Sequence, residues 1–260
     1  MDSSPSSSDA LIAGALAAGV AWGACSRRLL STSGAYAAAA VGTATFLGGW
    51  AAVILLLLFF FSSAALARVA KVSRETELTR EQASPRDARQ VLAVGLLPAL
   101  AALAAAFSGE ERWLWAMAAA IGFATADTWS TDWGQTSKSP PRLLGFGREL
   151  TPGQSGGMTL RGTLAGGAGA LFISGVGAVA LDGGVGQWIL LASIAWGGSI
   201  VDSVLGAVFQ WRGECTVCGR STERRIHCGS LARTMRGGLS NEGVNLACSS
   251  LSLVLGLLAG

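Results

Sequence analysis

Two aspartates stand at the end of an apolar run in the segment ADTWSTDWG, residues 126–134. Another aspartate, Asp202, lies inside the apolar segment GGSIVDSVLGAVFQ at 197–210. A charged side chain is costly within a membrane-length helix, so each of these aspartates is a candidate functional residue. The alternatives are a solvated helix end at Asp127 and Asp132, and a structural Asp202 bonded to a neighbouring serine or to the backbone.

The spacing of the first two aspartates restricts how they can act together. Asp127 and Thr131 share a helix face, whereas Asp132 lies about 140° round the helix from Asp127. Both carboxylates can reach one ligand only if the helix ends or unwinds between them. We therefore predict a break in the helix between Asp127 and Asp132.

A further polar cluster, SNEGVN at 240–245, begins the last apolar segment. Asn241 and Asn245 share a helix face, and Ser240 or Asn241 is alternatively a simple helix cap. Carboxylate and amide oxygens are hard ligands suited to Mg²⁺, which also takes substrate phosphates as ligands. We predict that Asn241 and Asn245 bind phosphate or nucleotide and that Mg²⁺ is held by Asp127, Asp132, Asp202 and Glu242.

A glycine-rich segment, TPGQSGGMTLRGTLAGGAG at 151–169, leads directly into a predicted helix. Backbone N–H groups in such a loop and at a helix N-terminus bind phosphate. The segment lacks the P-loop pattern, and a plain connecting loop is the alternative. Lys138 and Arg142, just upstream, supply positive charge. The candidate phosphate-binding residues of the loop are Ser155, Gly156, Gly157 and Thr159.

The segment CTVCGRSTERRIHC, residues 215–228, contains a possible metal site. Cys215, Cys218, His227 and Cys228 have the types and spacing of ligands for one tetrahedral Zn²⁺, although His227 and Cys228 are adjacent and awkward as joint ligands. A site with four protein ligands is structural, because it leaves no open position for catalysis. The alternative is a reduced loop with incidental thiols.

The elements that position these residues are apolar helices. The chain has 260 residues, of which 51% are hydrophobic and only 13% charged, with 36 glycines. This composition is typical of an all-α, polytopic membrane bundle packed through small residues. The modest net charge of +3 gives no indication of a nucleic-acid partner. Segments near membrane length predict about seven or eight spans at 10–26, 34–49, 50–67, 90–107, 113–128, 163–181, 187–210 and 244–259.

The long run at 34–67 is divided at Gly48-Gly49, because 34 residues exceed one span. We predict one membrane domain at 10–260, a disordered polar N-terminus at 1–9, and a cytoplasmic Cys/His loop at 211–240. With the N-terminus outside, all Lys and Arg residues except Arg112 fall in the cytoplasmic segments. The positive-inside rule favours this orientation. These predicted inner segments are 27–33, 68–89, 129–162 and 211–243.

The same motifs resemble a family of membrane proteins, once filed as domain of unknown function 92, that includes transmembrane protein 19 and the plant phytyl-phosphate kinase. The resemblance covers about residues 20–258 and rests on ADTWSTDWG, SKSPPRLL, TPGQSGGMTLRGTLAG, GSIVDSVLGAVFQ and LSNEGVN, in the family's order. The family commonly has Glu at the position of Asp132, Asp or Asn at the position of Glu242, and Asn at that of Val94. The resemblance implies site residues at Asp127, Asp132, Arg142, Gly156, Gly157, Asp202, Gly206, Asn241 and Asn245.

The resemblance implies a membrane kinase that converts an isoprenoid monophosphate to the diphosphate, with CTP as the preferred nucleoside triphosphate. The residues agree with this function, because carboxylates, a glycine-rich loop and basic side chains are the parts of a phosphoryl-transfer site. We expect Asp127, Asp132, Asp202 and Arg142 to be catalytic, and the substrate to be a membrane lipid. The alternatives are a kinase for a free polyprenol or phytol, a lipid cytidylyltransferase, and an ion-coupled transporter.

Overall fold

The computed structural model describes residues 7–70, 85–223 and 225–260. In this part of the chain every predicted span corresponds to a helix. The helices are α1 (Ser7–Ser26), α2 (Thr32–Leu47), α3 (Trp50–Ala70), α4 (Ala88–Ser108), α5 (Arg112–Gly134), α6 (Leu160–Ala180), α7 (Val185–Phe209) and α8 (Asn241–Leu257).

The chain divides at the predicted glycine pair. Gly48 ends α2, and Gly49 has a φ of +92°, a conformation that glycine adopts at little cost. The first helix begins at Ser7 rather than at residue 10. Residues 1–6 of the predicted N-terminal segment and residues 71–84 of the second inner segment lie outside the described residues.

Helix α5 forms the centre of the bundle. Every residue from Trp115 to Ala126 is buried, and α5 packs against α3, α4, α6, α7 and α8. A helix that is apolar on all sides is expected to be buried in this way. The carboxylates of Asp127 and Asp132 therefore stand on the last turns of the most enclosed helix.

Glycines allow the neighbouring helices to approach α5 closely. A Cβ atom on Gly162 would lie 2.7 Å from the Ser130 carbonyl oxygen, and one on Gly166 would lie 3.0 Å from the Ala126 carbonyl oxygen. These glycines of α6 thus contact the part of α5 that carries Asp127. Such stripes of small residues are a common means of helix association in membranes.

The outer surface of the bundle is apolar. Leu11, Phe61, Phe107 and Val179 are among many large hydrophobic side chains that are more than half exposed. Four of the described helices, α3, α4, α6 and α7, are long and apolar enough to cross a membrane. Lipid is the solvent in which such a surface is stable.

Short strands, which were not predicted, occur in the loops α5–α6 and α7–α8. In the first loop, β1 (Arg142–Leu143) pairs with β2 (Gly157–Met158). In the second, β3 pairs with β4 and β7, and β5 pairs with β6. Their bounds are β3 (Arg212–Glu214), β4 (Ser221–Thr222), β5 (Ile226–His227), β6 (Ser230–Leu231) and β7 (Arg233–Arg236).

The predicted inner segments meet at one end of the bundle. The Ser31 N–H donates to the Arg86 carbonyl oxygen at 3.0 Å, which joins the first segment to the second. The Ser155 N–H donates to the Glu223 carboxylate at 3.0 Å, which joins the third to the fourth. Most of the polar residues singled out in the sequence therefore belong to one region of the molecule.

The close approach of α6 to α5 predicts the effect of a single added methyl group. In Gly162→Ala the methyl group meets the Ser130 carbonyl oxygen, and such overpacking costs about 1–3 kcal/mol of unfolding free energy. We expect the midpoint of thermal unfolding in detergent to fall by several degrees.

Gly197→Ala, in the middle of α7, is the matched control. Its Cβ has no neighbour within 4 Å, and alanine is better than glycine in a helix by about 1 kcal/mol. We expect its midpoint to equal or exceed that of the wild type. The packing argument is wrong if Gly162→Ala behaves in the same way as Gly197→Ala.

Candidate functional site

A cavity of about 850 Å³ opens where the inner segments meet. It is lined by the start of α4, the end of α5, the α5–α6 loop, the start of α6, the end of α7 and the start of α8. Its volume is within the range of small-molecule sites. The predicted site residues that line it are Asp127, Asp132, Lys138, Ser155, Gly156, Gly157, Thr159, Asp202, Gly206, Asn241, Glu242 and Asn245.

The predicted break between Asp127 and Asp132 is wrong. Helix α5 continues to Gly134, and the Gln135 N–H still donates to the Thr131 carbonyl oxygen at 3.2 Å. No break is needed, because residues on several faces of the last two turns border the cavity, among them Thr128. Two positions about 140° apart can therefore face the same space.

Asp202 approaches the cavity from α7. It stands in the C-terminal half of that helix, one turn before Gly206, which also lines the cavity. Its Oδ1 atom is buried, and within the described part of the chain it accepts no hydrogen bond. A buried carboxylate oxygen without a donor is costly, so this atom is suited to a cation or to a ligand that donates a hydrogen bond.

Three helix N-termini border the cavity. The Asp87 carboxylate caps α4 through Gln90 N–H at 3.0 Å. The Thr159 hydroxyl caps α6 through Gly162 N–H at 3.1 Å, and Ser240 caps α8. Each N-terminus has a partial positive charge, which favours a bound anion. The cavity thus combines the carboxylates of α5 and α7 with three helix N-termini, of which those of α4 and α8 also carry the acidic residues Asp87 and Glu242.

The glycine-rich loop is held close to α7. Gly156 has a φ of +79°, and a Cβ atom there would lie 2.8 Å from the Ala207 Cα. Only glycine fits this position without a shift of the backbone. The loop therefore lies against the helix that carries Asp202.

Ser155 has a different contact from the one expected of a phosphate ligand. Its N–H and its hydroxyl donate to the Glu223 Oε1 atom at 3.0 Å and 2.6 Å. Gln210 donates to the other Glu223 oxygen at 2.9 Å. The Ser155 donors are thus engaged within the protein, and they fix the loop rather than point at a ligand.

Arg212 completes this contact. Its Nη2 atom donates to the Ser155 carbonyl oxygen at 3.2 Å and lies 4.0 Å from the Glu223 carboxylate. Burial, followed by the charge of Arg236, lowers the pKa of Arg212, and Glu223 opposes this shift. This half-buried pair joins the α7–α8 loop to the glycine-rich loop.

Arg142 does not line the cavity, in contrast to the prediction. Its guanidinium pairs with Glu149 at 3.0 Å on an exposed surface. Arg86 and Arg89, at the start of α4, do line the cavity. They were not chosen from the sequence, although a basic cluster directly before an apolar span was a usable signal for them.

The four Cys/His residues lie together in the α7–α8 loop. One potential ligand atom from each of Cys215, Cys218, His227 and Cys228 lies within 4.8 Å of all the others. Hydrogen bonds from the backbone of Cys218, and then of Val217, lower the pKa of the Cys215 thiol to about 6 against the effect of burial. The hydrogen bond with the Cys218 side chain is the main cause that raises the pKa of Cys228 to about 11.

An apolar helical bundle with a polar cavity at one end is the architecture of a polytopic membrane protein. The family described as integral membrane protein DUF92 matches residues 15–253. The chain belongs to this family, which confirms the resemblance and the membrane fold.

A relative in Methanocaldococcus jannaschii, described as an uncharacterized membrane protein, is 33% identical over 175 residues. The match covers 66% of this chain and 62% of the relative. No solved structure matches the chain.

The half-buried Glu223 contact predicts that the glycine-rich loop loses rigidity when the carboxylate is removed. Hydrogen bonds to a charged group contribute about 1.5–3 kcal/mol. In Glu223→Ala we expect the backbone amides of residues 153–157 to exchange about 10- to 100-fold faster, as measured by hydrogen–deuterium exchange with mass spectrometry.

Glu214→Ala is the matched control, because Glu214 is an exposed residue of the neighbouring strand β3. Its loop should exchange at the wild-type rate. Unchanged exchange in Glu223→Ala would show that the contact does not hold the loop.

Proposed function

We propose that this protein is a membrane-embedded kinase for an isoprenoid monophosphate. It transfers the terminal phosphoryl group of a nucleoside triphosphate, with CTP as the expected donor, and releases a prenyl diphosphate and a nucleoside diphosphate. The observation that carries the proposal is the cavity, whose lining includes three helix N-termini and Asp202, with its buried Oδ1 atom.

The residues fit a bound Mg²⁺. Asp202 Oδ1 is buried with no donor among the described residues, and Asp127, Asp132 and Glu242 line the same cavity. Mg²⁺ binds a few carboxylates together with substrate phosphates. When bound, it neutralises charge on the phosphates. Asp127, Asp132, Asp202 and Glu242 are therefore the proposed metal-binding residues.

Basic side chains and backbone N–H groups of the protein neutralise the remaining negative charge on the phosphates. Arg86, Arg89 and Lys138 line the cavity, and the N-terminus of α6 adds backbone N–H groups beside the glycine-rich loop. Asn241 and Asn245 stand on the first turns of α8 and offer amide groups to the nucleotide. Arg142 is left out of this set because its guanidinium pairs with Glu149.

The reaction needs no general base. A phosphate oxygen of the lipid attacks the terminal phosphorus of the triphosphate, and the bond from that phosphorus to the bridging oxygen breaks. The lipid phosphate is already a nucleophile, so catalysis consists of positioning and charge stabilisation. The single histidine of the chain, His227, lies in the Cys/His loop and takes no part.

Part of the cavity wall is apolar and can contact the prenyl chain of the substrate. Ala93, Val94, Phe123 and Ala124, on α4 and α5, are among the apolar residues of the lining. A prenyl chain lying between helices there keeps its tail among apolar groups and its phosphate beside the cations. The concentration of basic residues in the inner segments favours a cytoplasmic position for the cavity, where nucleotides are present.

The proposal predicts activity in vesicles that contain the purified protein. With a panel of prenyl monophosphates, Mg²⁺ and nucleoside triphosphates, we expect a prenyl diphosphate as the product. In sealed vesicles, nucleotide should be consumed only when it is added on the cavity side. Asp127→Asn should lower kcat about 100-fold or more, because loss of a group that stabilises transition-state charge has effects of this size.

Asp182→Asn is the matched control. Asp182 is an exposed residue of the α6–α7 turn, and its φ of +49° is one that asparagine tolerates. It should retain wild-type activity. Arg86→Gln should lose more activity than Arg142→Gln, because Arg86 lines the cavity and Arg142 does not. Equal turnover by Asp127→Asn and the wild type would refute the site. A CDP-lipid product, phosphorylation of the free alcohol alone, or transport without chemical change would refute the kinase in favour of an alternative.

A further inference from the structure

The Cys/His loop has the geometry of a closed metal site. The Cys218 Sγ and Cys228 Sγ atoms lie 3.6 Å and 3.3 Å from the His227 Nδ1 atom. A tetrahedral zinc ion with ordinary Zn–S and Zn–N distances places sulfur and nitrogen ligands about 3.6 Å apart. Both distances to His227 are thus close to the separation that one zinc ion requires, and all four ligand atoms lie within 4.8 Å of one another.

A tight turn allows the adjacent residues His227 and Cys228 to serve as ligands of the same ion. Neighbouring side chains of an extended strand point to opposite faces. Cys228 and Gly229 both have a positive φ, 51° and 75°, and β5 pairs with β6 through His227 and Ser230. Two central residues of positive φ form a hairpin turn of type I′. This turn brings the Cys228 sulfur to the side of the His227 ring.

The left-handed conformation of Cys228 is itself informative. A non-glycine residue at positive φ is uncommon and carries a backbone cost. Asn, Asp and Gly are the usual residues at this position of the turn. A cysteine there needs a compensating interaction, and a bond to a metal supplies one.

The first pair of ligands, Cys215 and Cys218, stands in a tight loop whose backbone N–H groups contact Cys215. The Val217 N–H donates to the Cys215 Sγ at 3.4 Å, and the Gly219 N–H donates to the Cys215 carbonyl oxygen at 2.9 Å. A backbone donor aimed at a sulfur favours the thiolate, which is the form that binds metal. Cys215 is also buried, with 2% of its surface exposed.

The site is placed where it can hold the cavity in shape. Glu223 lies between the two ligand pairs, directly after β4, and its carboxylate is the group that binds Ser155 and Gln210. Thr222, the neighbouring residue, is 1% exposed. Fixing Cys218 and His227 fixes the short segment that carries Glu223.

We propose that Cys215, Cys218, His227 and Cys228 bind one structural Zn²⁺ that holds Glu223 against the glycine-rich loop. The zinc site stands independently of the kinase proposal. Its importance for substrate binding rests on that proposal, because the loop borders the proposed phosphate site.

The test is the metal content of the full-length protein, purified in detergent without chelator and measured by inductively coupled plasma mass spectrometry. We expect one zinc per chain in the wild type and in Cys25→Ser, whose cysteine lies in α1. Cys218→Ser and His227→Ala should retain less than about a tenth of this zinc. Circular dichroism should show the same helix content in all four proteins.

Wild-type protein without stoichiometric zinc, or with iron in its place, would overturn the site. Zinc retained by both ligand variants would also overturn the site.

Removal of zinc with a chelator tests the second part of the proposal, that the zinc holds Glu223 against the glycine-rich loop. Exchange of the amides of residues 153–157 should become about as fast as in Glu223→Ala.

Unchanged exchange after zinc removal would overturn the connection to Glu223 and leave the zinc site standing. Neither measurement depends on catalysis. A zinc-containing protein with an ordered loop and no kinase activity would therefore refute the proposed function alone.

Discussion

The close packing of α6 on α5 is the contact on which the rest of the structure depends. Gly162 and Gly166 let the α6 backbone lie against the carbonyl groups of Ser130 and Ala126. This approach places the start of α6 beside the end of α5, and with it the glycine-rich loop beside Asp127. Any substitution of Gly162 adds a Cβ atom that pushes α6 away from α5.

The cavity that results has opposite charges on its walls. Asp127, Asp132 and Asp202 line it from the C-terminal parts of α5 and α7. The N-termini of α4, α6 and α8 border the same space, with Arg86 and Arg89 at α4 and Glu242 on α8. The carboxylates are costly in an apolar bundle, and an N-terminus carries only a partial charge. The proposed Mg²⁺ and the phosphates of the proposed substrates would together compensate these charges. This is the physical basis for preferring phosphoryl transfer over transport.

Much of the fold could be predicted because apolar helices leave a strong sequence signal. The eight helices and the division at Gly48-Gly49 followed from the length and composition of the apolar runs. Polar residues in such runs are rare, so Asp127, Asp202 and Asn245 could be selected although they are distant in sequence. The structure places all three on one cavity.

The remaining features depend on backbone geometry that the residue types do not specify. The helix break between Asp127 and Asp132 was wrong because the end of α5 borders the cavity on more than one face. Arg142 and Arg86 are equally basic, and only the path of the loops decides which one lines the cavity. The joint geometry of His227 and Cys228 depends on a positive φ at Cys228.

Glu223 was missed for a related reason. In the sequence it is one charged residue in a basic loop, and its role arises from a contact with Ser155, which is distant along the chain. Long-range polar contacts of this kind leave no periodic pattern. The Glu223 contact nevertheless joins two loops that border the cavity.

The most direct measurement is a structure by electron cryo-microscopy of the protein in lipid with Mg²⁺ and a non-hydrolysable CTP analogue. We predict phosphate density beside the N-terminus of α6 and metal density in contact with Asp202 and Asp127. Nucleotide phosphates bound elsewhere on the protein, or in the cavity with no metal at either aspartate, would contradict it.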